Sequence, residues 1–116
     1  MWSLGWVGGP VIGKVGRRDT AYVHRDAITL LRATCVWERD APASVGRALL
    51  AWTDQMIALI APHTPAESYQ NFPNRRIEDW KRQYYGENLA RLVDVKTKYD
   101  PGDLFHHAQS VPVRRG

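Results

Sequence analysis

The sequence predicts an α+β fold in which a few antiparallel strands come first and three helices follow. Strands are indicated near the amino terminus, where Trp2, Leu4 and Trp6 alternate with small residues, the period of a strand with one buried face. A helix is indicated by apolar residues that recur every three or four positions over residues 45–61. Two shorter helical patterns complete the fold, over residues 75–85 and 89–99.

The first half of the chain, to about Arg39, has the composition of strands and turns. Gly8-Gly9-Pro10 interrupts the first strand, where glycine suits a bulge or a close backbone approach and proline suits an edge. A charged turn is expected over residues 14–20, followed by a short strand at 21–23. Residues 28–37 are rich in β-branched and aromatic side chains, which predicts a further strand.

Polar residues and glycine mark the ends of the helices. Ser44 is the expected cap of helix 45–61, because its hydroxyl can accept a hydrogen bond from an unpaired N–H of the first turn. Asn74 and Asn88 are expected to cap the second and third helices, and Gly86 is expected to end the second. Two acid-first pairs with helical spacing are expected to form ion pairs, Glu87 with Arg91 and Asp94 with Lys98.

Composition places the chain among globular proteins of one domain. It has 116 residues, 44% hydrophobic and 24% charged, which excludes collagen and wholesale disorder. Its 16 basic and 12 acidic residues give a net charge of +4. The basic residues are scattered among acids, so no nucleic-acid partner is expected. The longest nearly uncharged stretch, residues 1–13, is too short to span a bilayer, so no membrane partner is expected either.

Common catalytic and cofactor motifs are missing from the sequence. Four histidines and one cysteine show no metal-ligand spacing, so no metal site is expected. Cys35 lies in an apolar strand pattern, where a buried structural thiol is the better interpretation than a nucleophile. A single cysteine allows no disulfide within the chain, which favours a reducing, cytoplasmic location. The glycines near the amino terminus do not form a phosphate-binding loop.

One segment, Ser68–Pro73, carries polar and aromatic side chains that the helix patterns do not require. If it is extended, Tyr69 and Asn71 face the same side. A structural interpretation stays open, in which the tyrosine packs a loop and the asparagine forms a local turn.

The same segment begins a series of motifs that resembles the carboxy-terminal part of berberine bridge enzyme-like FAD-linked oxidases. The motifs are Tyr69-Gln-Asn-Phe72, Trp80, Tyr84-Tyr85-Gly86-Glu87-Asn88, Arg91-Leu92, Val95-Lys96, Tyr99-Asp100-Pro101, Phe105 and Gln109-Ser110-Val111-Pro112. The upstream half is similar to the family as well, at Gly8-Gly9-Pro10, Ala21–Arg25 and Trp37. Phe72 departs from the family pattern, which has a tyrosine there, so any role of that hydroxyl is lost.

The resemblance implies that the chain is a fragment of a larger two-domain flavoprotein. Residues 1–65 would be the end of the substrate-binding domain, and residues 66–113 the berberine and berberine-like segment. The cofactor would be FAD, held mainly by an amino-terminal domain that is absent from this chain. That missing FAD-binding domain is therefore the expected partner, and the chain alone is expected to be inactive.

The resemblance also implies the function and the site residues. The complete enzyme would oxidise an alcohol or amine carbon of a small-molecule substrate. Asn71 would bind the flavin near its reactive ring, and Tyr69 would be catalytic, lining the substrate side and taking a proton. A free phenol has a pKa of about 10 and is a poor base at neutral pH, so such a tyrosine needs help from a cation or the flavin. The alternative is a free-standing α+β interaction module without catalysis.

Overall fold

A computed structural model describes residues 1–114, apart from the side chain of Trp2. Two strands and three helices are formed: β1 (Trp2–Trp6), β2 (Thr29–Ala33), α1 (Ala43–Ile60), α2 (Trp80–Tyr85) and α3 (Leu89–Tyr99). Single turns of 3₁₀ helix occur at Ile12–Lys14, Ala61–His63 and Gly86–Asn88. This arrangement confirms the predicted α+β class. The strand expected at 21–23 does not form.

The chain divides into two compact units. The first unit combines Met1–Gly8 with Ala27–Ala66, and the second combines Gly9–Asp26 with the chain from Glu67 onward. Both units are therefore discontinuous in sequence. The proposed boundary between residues 65 and 66 concerns the domains of a complete enzyme and stays a prediction.

In the first unit, β1 and β2 pair antiparallel. Trp2 lies opposite Ala33 and Trp6 lies opposite Thr29. The second strand is shorter than the sequence predicts, since the pairing of β2 with β1 ends at Ala33. One residue beyond β2, Thr34 donates its backbone N–H to the carbonyl of Met1, with 2.9 Å between N and O.

The strand interruption at Gly8 is a close backbone approach. The backbone N–H groups of Val7 and Gly8 both donate to the carbonyl of Ile28, each at 3.0 Å. A Cβ atom on Gly8 would lie 2.8 Å from the Ala27 carbonyl oxygen, a backbone atom that cannot easily move. Glycine is therefore required at this position for steric reasons.

Helix α1 begins two residues before its expected start. Its N-cap position is Pro42, with no capping hydrogen bond from a side chain, so the predicted cap at Ser44 is wrong. Ser44 lies inside the first turn, past the position from which a side chain caps a helix. One face of the helix packs on the preceding segment, where the Trp37 indole lies 3.3 Å from the place of a Cβ on Gly46.

Apolar side chains of the first unit are poorly covered. The buried apolar side chains of the described chain are Val23 and Tyr84, and both belong to the second unit. By contrast, Leu4 is 71% exposed, Trp6 75% and Leu59 66%. This unit therefore presents large apolar surfaces to solvent.

We expect the chain expressed alone to bind a hydrophobic dye and to self-associate. Each large apolar side chain left in water forgoes about 1.5–3 kcal/mol, against a typical domain stability of about 5–15 kcal/mol. Dye fluorescence and sedimentation would measure both effects, and Trp6→Gln should lower dye binding. A monomer that melts in one sharp transition without binding dye would contradict this prediction.

In the second unit, α2 begins five residues later than the sequence predicts. Asn74 does use its side chain as expected of a turn residue, since its Oδ1 accepts the backbone N–H of Arg76 at 3.0 Å. The following residues form turns, and the helix starts at Trp80. The reason is tertiary. Gln109 donates its Nε2 to the carbonyl of Asn74 at 2.9 Å, which holds this turn from outside.

Tyr84 is the centre of this polar anchor. Its side chain is buried, and its hydroxyl accepts the backbone N–H of Asn74 at 2.8 Å. The same hydroxyl donates to Oε1 of Gln109 at 3.2 Å. Gln109 is itself buried. The turn before α2 is therefore fixed to the segment after α3 by hydrogen bonds of buried side chains.

Gly86 ends α2, as the sequence predicts. Its φ is +47° and its ψ is −131°, a conformation that side chains rarely adopt, and a Cβ there would lie 3.1 Å from Val23 Cγ2. Asn88 occupies the N-cap position of α3 but does not cap it. Its Nδ2 instead donates to the carbonyls of Arg17 and Thr20, at 2.7 and 3.1 Å.

The acidic residues of the two expected helical ion pairs have other partners in the structure. Glu87 pairs with Arg17, at 2.9 Å between Nε and Oε1. Asp94 pairs with Arg114. Loop residues outside the helix thus displace the local partners that the spacing predicts.

We expect Gly86→Ala to destabilise the second unit by about 1–3 kcal/mol, the usual cost of a residue forced into a sparsely populated backbone region. The contact with Val23 adds to this strain. Gly102→Ala is the matched control, because a Cβ on Gly102 would meet nothing within 4 Å. Thermal unfolding of the complete flavoprotein would measure both variants. Equal stability of the two would show that the turn tolerates a side chain.

Across residues 1–114, no helix has both the length and the apolar character needed to cross a membrane.

Candidate active site

The segment from Glu67 to Tyr69 lies in the chain between the 3₁₀ turn after α1 and the turn before α2. Successive residues of this segment contact different parts of the second unit. The backbone N–H of Ser68 donates to the carbonyl of Gln83 in α2 at 3.0 Å. The Ser68 hydroxyl also lies 3.0 Å from Oε1 of Gln83 and donates to it. The residues on either side of Ser68 contact the loop of residues 17–24 instead. This alternation is what an extended backbone produces.

The structure brings the two predicted site residues together. Asn71 donates its Nδ2 to the Tyr69 hydroxyl at 2.8 Å. A turn produces this contact, since the backbone N–H of Phe72 donates to the Tyr69 carbonyl at 3.0 Å. Tyr69 is half-buried and Asn71 is exposed. The pair therefore presents a phenol and an amide at the surface of the second unit.

Three rings surround the ring of Tyr69, each in an edge-to-face arrangement. The centroid distances are 5.8 Å to Tyr22, 6.5 Å to His24 and 5.7 Å to Phe72. Such geometry is favourable between aromatic rings and restricts their rotation. The orientation of the Tyr69 hydroxyl is therefore set by packing as well as by its hydrogen bond.

An ion-pair network lies beside these rings. Arg17 contacts three acids, with nitrogen–oxygen distances of 2.6 Å to Glu67, 2.9 Å to Glu87 and 3.2 Å to Asp26. The other carboxylate oxygen of Glu67 lies 2.8 Å from Nδ1 of His24. Hydrogen bonds to Glu87 and then to Glu67 raise the pKa of Arg17. This network joins residues that are 50 and 43 positions apart in sequence.

Glu67 contacts both Arg17 and His24, one through each of its carboxylate oxygens. Burial by itself raises the pKa of Glu67, but the hydrogen bonds from Arg17 and His24 outweigh burial and hold it below the usual value. Glu67 is therefore a carboxylate at neutral pH.

The second tyrosine of the cluster, Tyr22, is a poor candidate for proton transfer. Burial raises its pKa, and the nearby Tyr69 raises it further, although Arg25 acts in the opposite direction. The Arg25 guanidinium lies 5.0 Å from the centre of the Tyr22 ring. Tyr22 thus acts as a neutral packing partner.

Sequence patterns indicated only part of this arrangement. Tyr22 and His24 lie in the stretch that resembles the family, but no role followed from it. Arg17 and Glu67 stand in loops, where charged residues are ordinarily solvated, and no local signal marks them. In the part of the chain described here, no cluster of three or more His, Cys, Asp or Glu side chains could hold a metal ion.

The exposed Asn71 fits one requirement of a flavin neighbour. Its amide has a hydrogen-bond donor and an acceptor, which match the polar edge of a flavin ring. Within residues 1–114, the bond to Tyr69 is the hydrogen bond seen for this side chain. The amide therefore keeps capacity for a further partner beside the phenol.

Comparison with known proteins identifies the chain's relatives. Residues 68–112 match the family model described as berberine and berberine like. The chain is 34% identical over 107 residues to the FAD-linked oxidoreductase YvdP of Bacillus subtilis (strain 168), a match that covers 92% of this chain and 23% of YvdP.

Two solved structures resemble the fold. The carbohydrate oxidase of Microdochium nivale, in complex with a substrate analogue, has a TM-score of 0.73 and 29% identity, covering 98% of this chain and 25% of the oxidase. A chitooligosaccharide oxidase has a TM-score of 0.62 and 31% identity, covering 89% of this chain and 23% of that protein. The chain thus spans about a quarter of the length of these relatives. The predicted resemblance is confirmed: residues 68–112 match the berberine and berberine-like family model, and the relatives that match nearly the whole chain are named as FAD-linked oxidoreductases and oxidases.

Proposed function

We propose that this chain supplies the substrate-facing edge of an FAD-dependent oxidoreductase that oxidises an alcohol or amine carbon of a small molecule. The observation that carries this proposal is the 2.8 Å hydrogen bond from Asn71 to the hydroxyl of Tyr69 at the protein surface. A sugar hydroxyl is the first substrate class to test, because two relatives are named for carbohydrate and chitooligosaccharide oxidation.

In this proposal the bound flavin supplies a hydride acceptor. Tyr69 takes the proton that the substrate hydroxyl must lose, and in its deprotonated form Oη of Tyr69 is the accepting atom. The amide N–H of Asn71 stabilises negative charge on that oxygen, because a hydrogen bond to a charged form favours it.

Packing supports the same roles. The rings of Tyr22, His24 and Phe72 restrict the ring of Tyr69 to one orientation. A proton acceptor is effective only when it lies within hydrogen-bond reach of the proton it takes. The Asn71 amide, exposed next to this phenol, is the group of the pair that would bind the flavin.

The proposal is tested with the complete flavoprotein, in which this chain is joined to an FAD-binding domain. Under anaerobic conditions an oligosaccharide should bleach the flavin absorbance. Simple alcohols and amines of similar size are the comparison substrates. Failure of sugars, other alcohols and amines to reduce the flavin would refute the proposed reaction.

The chain alone tests where the cofactor is held. We expect it not to retain FAD, because its sequence contains no glycine-rich loop that could bind a pyrophosphate. Gel filtration of the purified chain after incubation with FAD would measure this. Flavin absorbance that elutes with the protein would contradict the expectation.

A further inference from the structure

His24 is a buried histidine with only one ring nitrogen engaged. It is 5% exposed, and its Nδ1 lies 2.8 Å from Oε2 of Glu67. Its Nε2 is buried and has no hydrogen-bond partner among the described residues. Buried polar atoms without a partner are uncommon in proteins, so this nitrogen calls for a physical explanation.

The two nitrogens together indicate one tautomer. Nδ1 faces a carboxylate, so it carries the hydrogen and donates it. A hydrogen on Nε2 would have no acceptor within the described chain, which would leave a buried donor unsatisfied. The contacts therefore place a hydrogen on Nδ1 of His24, and the orientation of the ring is set by Glu67.

Glu67 in turn is held by Arg17 and stands two residues before Tyr69. The His24 imidazole and the Tyr69 ring are in an edge-to-face arrangement, with their planes at 90°. Ser68, between Glu67 and Tyr69, is fixed from the opposite side by Gln83. A shift in any one of these contacts would therefore move the backbone and the ring of Tyr69 together.

We propose that Arg17, Glu67 and His24 form a positioning relay that sets the orientation of the Tyr69 ring and the direction of its hydroxyl. This proposal rests on the proposed function of Tyr69 and states how that residue is positioned. Arg17 fixes the Glu67 carboxylate, the carboxylate fixes the tautomer and plane of His24, and the imidazole limits rotation of Tyr69. None of the three touches the reacting atoms, so all three are positioning residues.

Two variants break the relay at different points. His24→Asn keeps an N–H donor for Glu67 but removes the ring that packs on Tyr69. Glu67→Gln keeps the shape of the side chain but removes the charge that Arg17 and His24 share. Glu87→Gln is the matched control, because Glu87 also pairs with Arg17 but does not contact His24.

A double-mutant cycle in the complete flavoprotein tests whether the relay acts through Tyr69. We expect His24→Asn and Glu67→Gln to slow anaerobic flavin reduction by about 10–100-fold, since small misplacements of a reacting group have effects of that size. In a Tyr69→Phe background the same changes should slow flavin reduction by less than about twofold. Equal losses in both backgrounds would show a merely structural role and overturn the proposal.

A spectroscopic measurement separates the relay from the proposed chemistry. With ¹⁵N-labelled histidine and ring-labelled tyrosine, NMR of the flavoprotein should show the Nδ1–H tautomer of His24. The ring signals of Tyr69 should shift in His24→Asn and Glu67→Gln and stay in place in Glu87→Gln. Unchanged Tyr69 signals in both relay variants would overturn the relay.

The two proposals can therefore fail separately. If the Tyr69→Phe variant reduces its flavin at the unaltered rate, the proposed function of Tyr69 is wrong. The positioning relay is then tested by the NMR signals of the Tyr69 ring alone. If His24→Asn does not fold, Glu67→Gln alone is used for the double-mutant cycle and for the NMR spectra.

Discussion

We expect Tyr69→Phe to slow flavin reduction in the complete flavoprotein by about a hundredfold or more. The substitution keeps the ring and its edge-to-face contacts with Tyr22 and Phe72 but removes the atom that takes the proton. It also removes the acceptor of the Asn71 amide. Anaerobic stopped-flow measurement of flavin bleaching would give the rate, and the pH profile should lose one limb.

The same substitution at an exposed tyrosine separates chemistry from general disturbance. Tyr99 is 75% exposed, so Tyr99→Phe should leave the reduction rate unchanged. If Tyr69 only packs against its neighbours, Tyr69→Phe will behave like Tyr99→Phe. That result would place the proton acceptor elsewhere in the complete enzyme.

A second large effect is expected for Asn71→Ala. The lost hydrogen bond contributes about 0.5–1.5 kcal/mol if it is an ordinary neutral one. It contributes about 2.7–4 kcal/mol if it stabilises charge that develops in the transition state. These limits correspond to a slowing of flavin reduction from a few-fold to about a thousandfold. A loss near the upper limit would favour stabilisation of charge on the Tyr69 oxygen.

The chemistry of Asn71 can be separated from its size. Asn71→Asp has the same shape but cannot donate a hydrogen bond to Tyr69 when ionised, so it should be at least as slow as Asn71→Ala. Gln55→Ala, which removes an exposed amide on α1, should have no effect. Wild-type rates in both Asn71 variants would show that this amide does not contribute to the reaction.

The helices illustrate how far sequence patterns reach. Residues 89–99 were predicted as a helix and form α3 with the same bounds, because spacing of apolar residues and a helix-breaking Asp100-Pro101-Gly102 are local properties. The second helix is only six residues long. Its predicted first turn is instead held by Gln109, a contact between distant segments that no local pattern contains.

The helix caps also show what local sequence patterns cannot predict. Asn88 has the residue type and position of a cap, yet its amide bonds the carbonyls of Arg17 and Thr20. Those carbonyls lie in a loop about 70 residues earlier in the chain, as the separations of 71 and 68 positions show. A buried amide that satisfies two backbone carbonyls outcompetes a solvent-accessible cap, because unsatisfied buried groups are costly.

The α+β class of this protein was determined by its sequence alone. The hydrogen bond between Tyr69 and Asn71 was decided by the structure, because it forms across a turn where the sequence analysis considered an extended segment. The order of motifs also indicated the family before any fold was known. The environment of Tyr69 was decided only by the tertiary structure, because Arg17 and His24 reach Glu67 across 50 and 43 residues. Charged loop residues have no periodicity, so only the folded chain shows which of them meet.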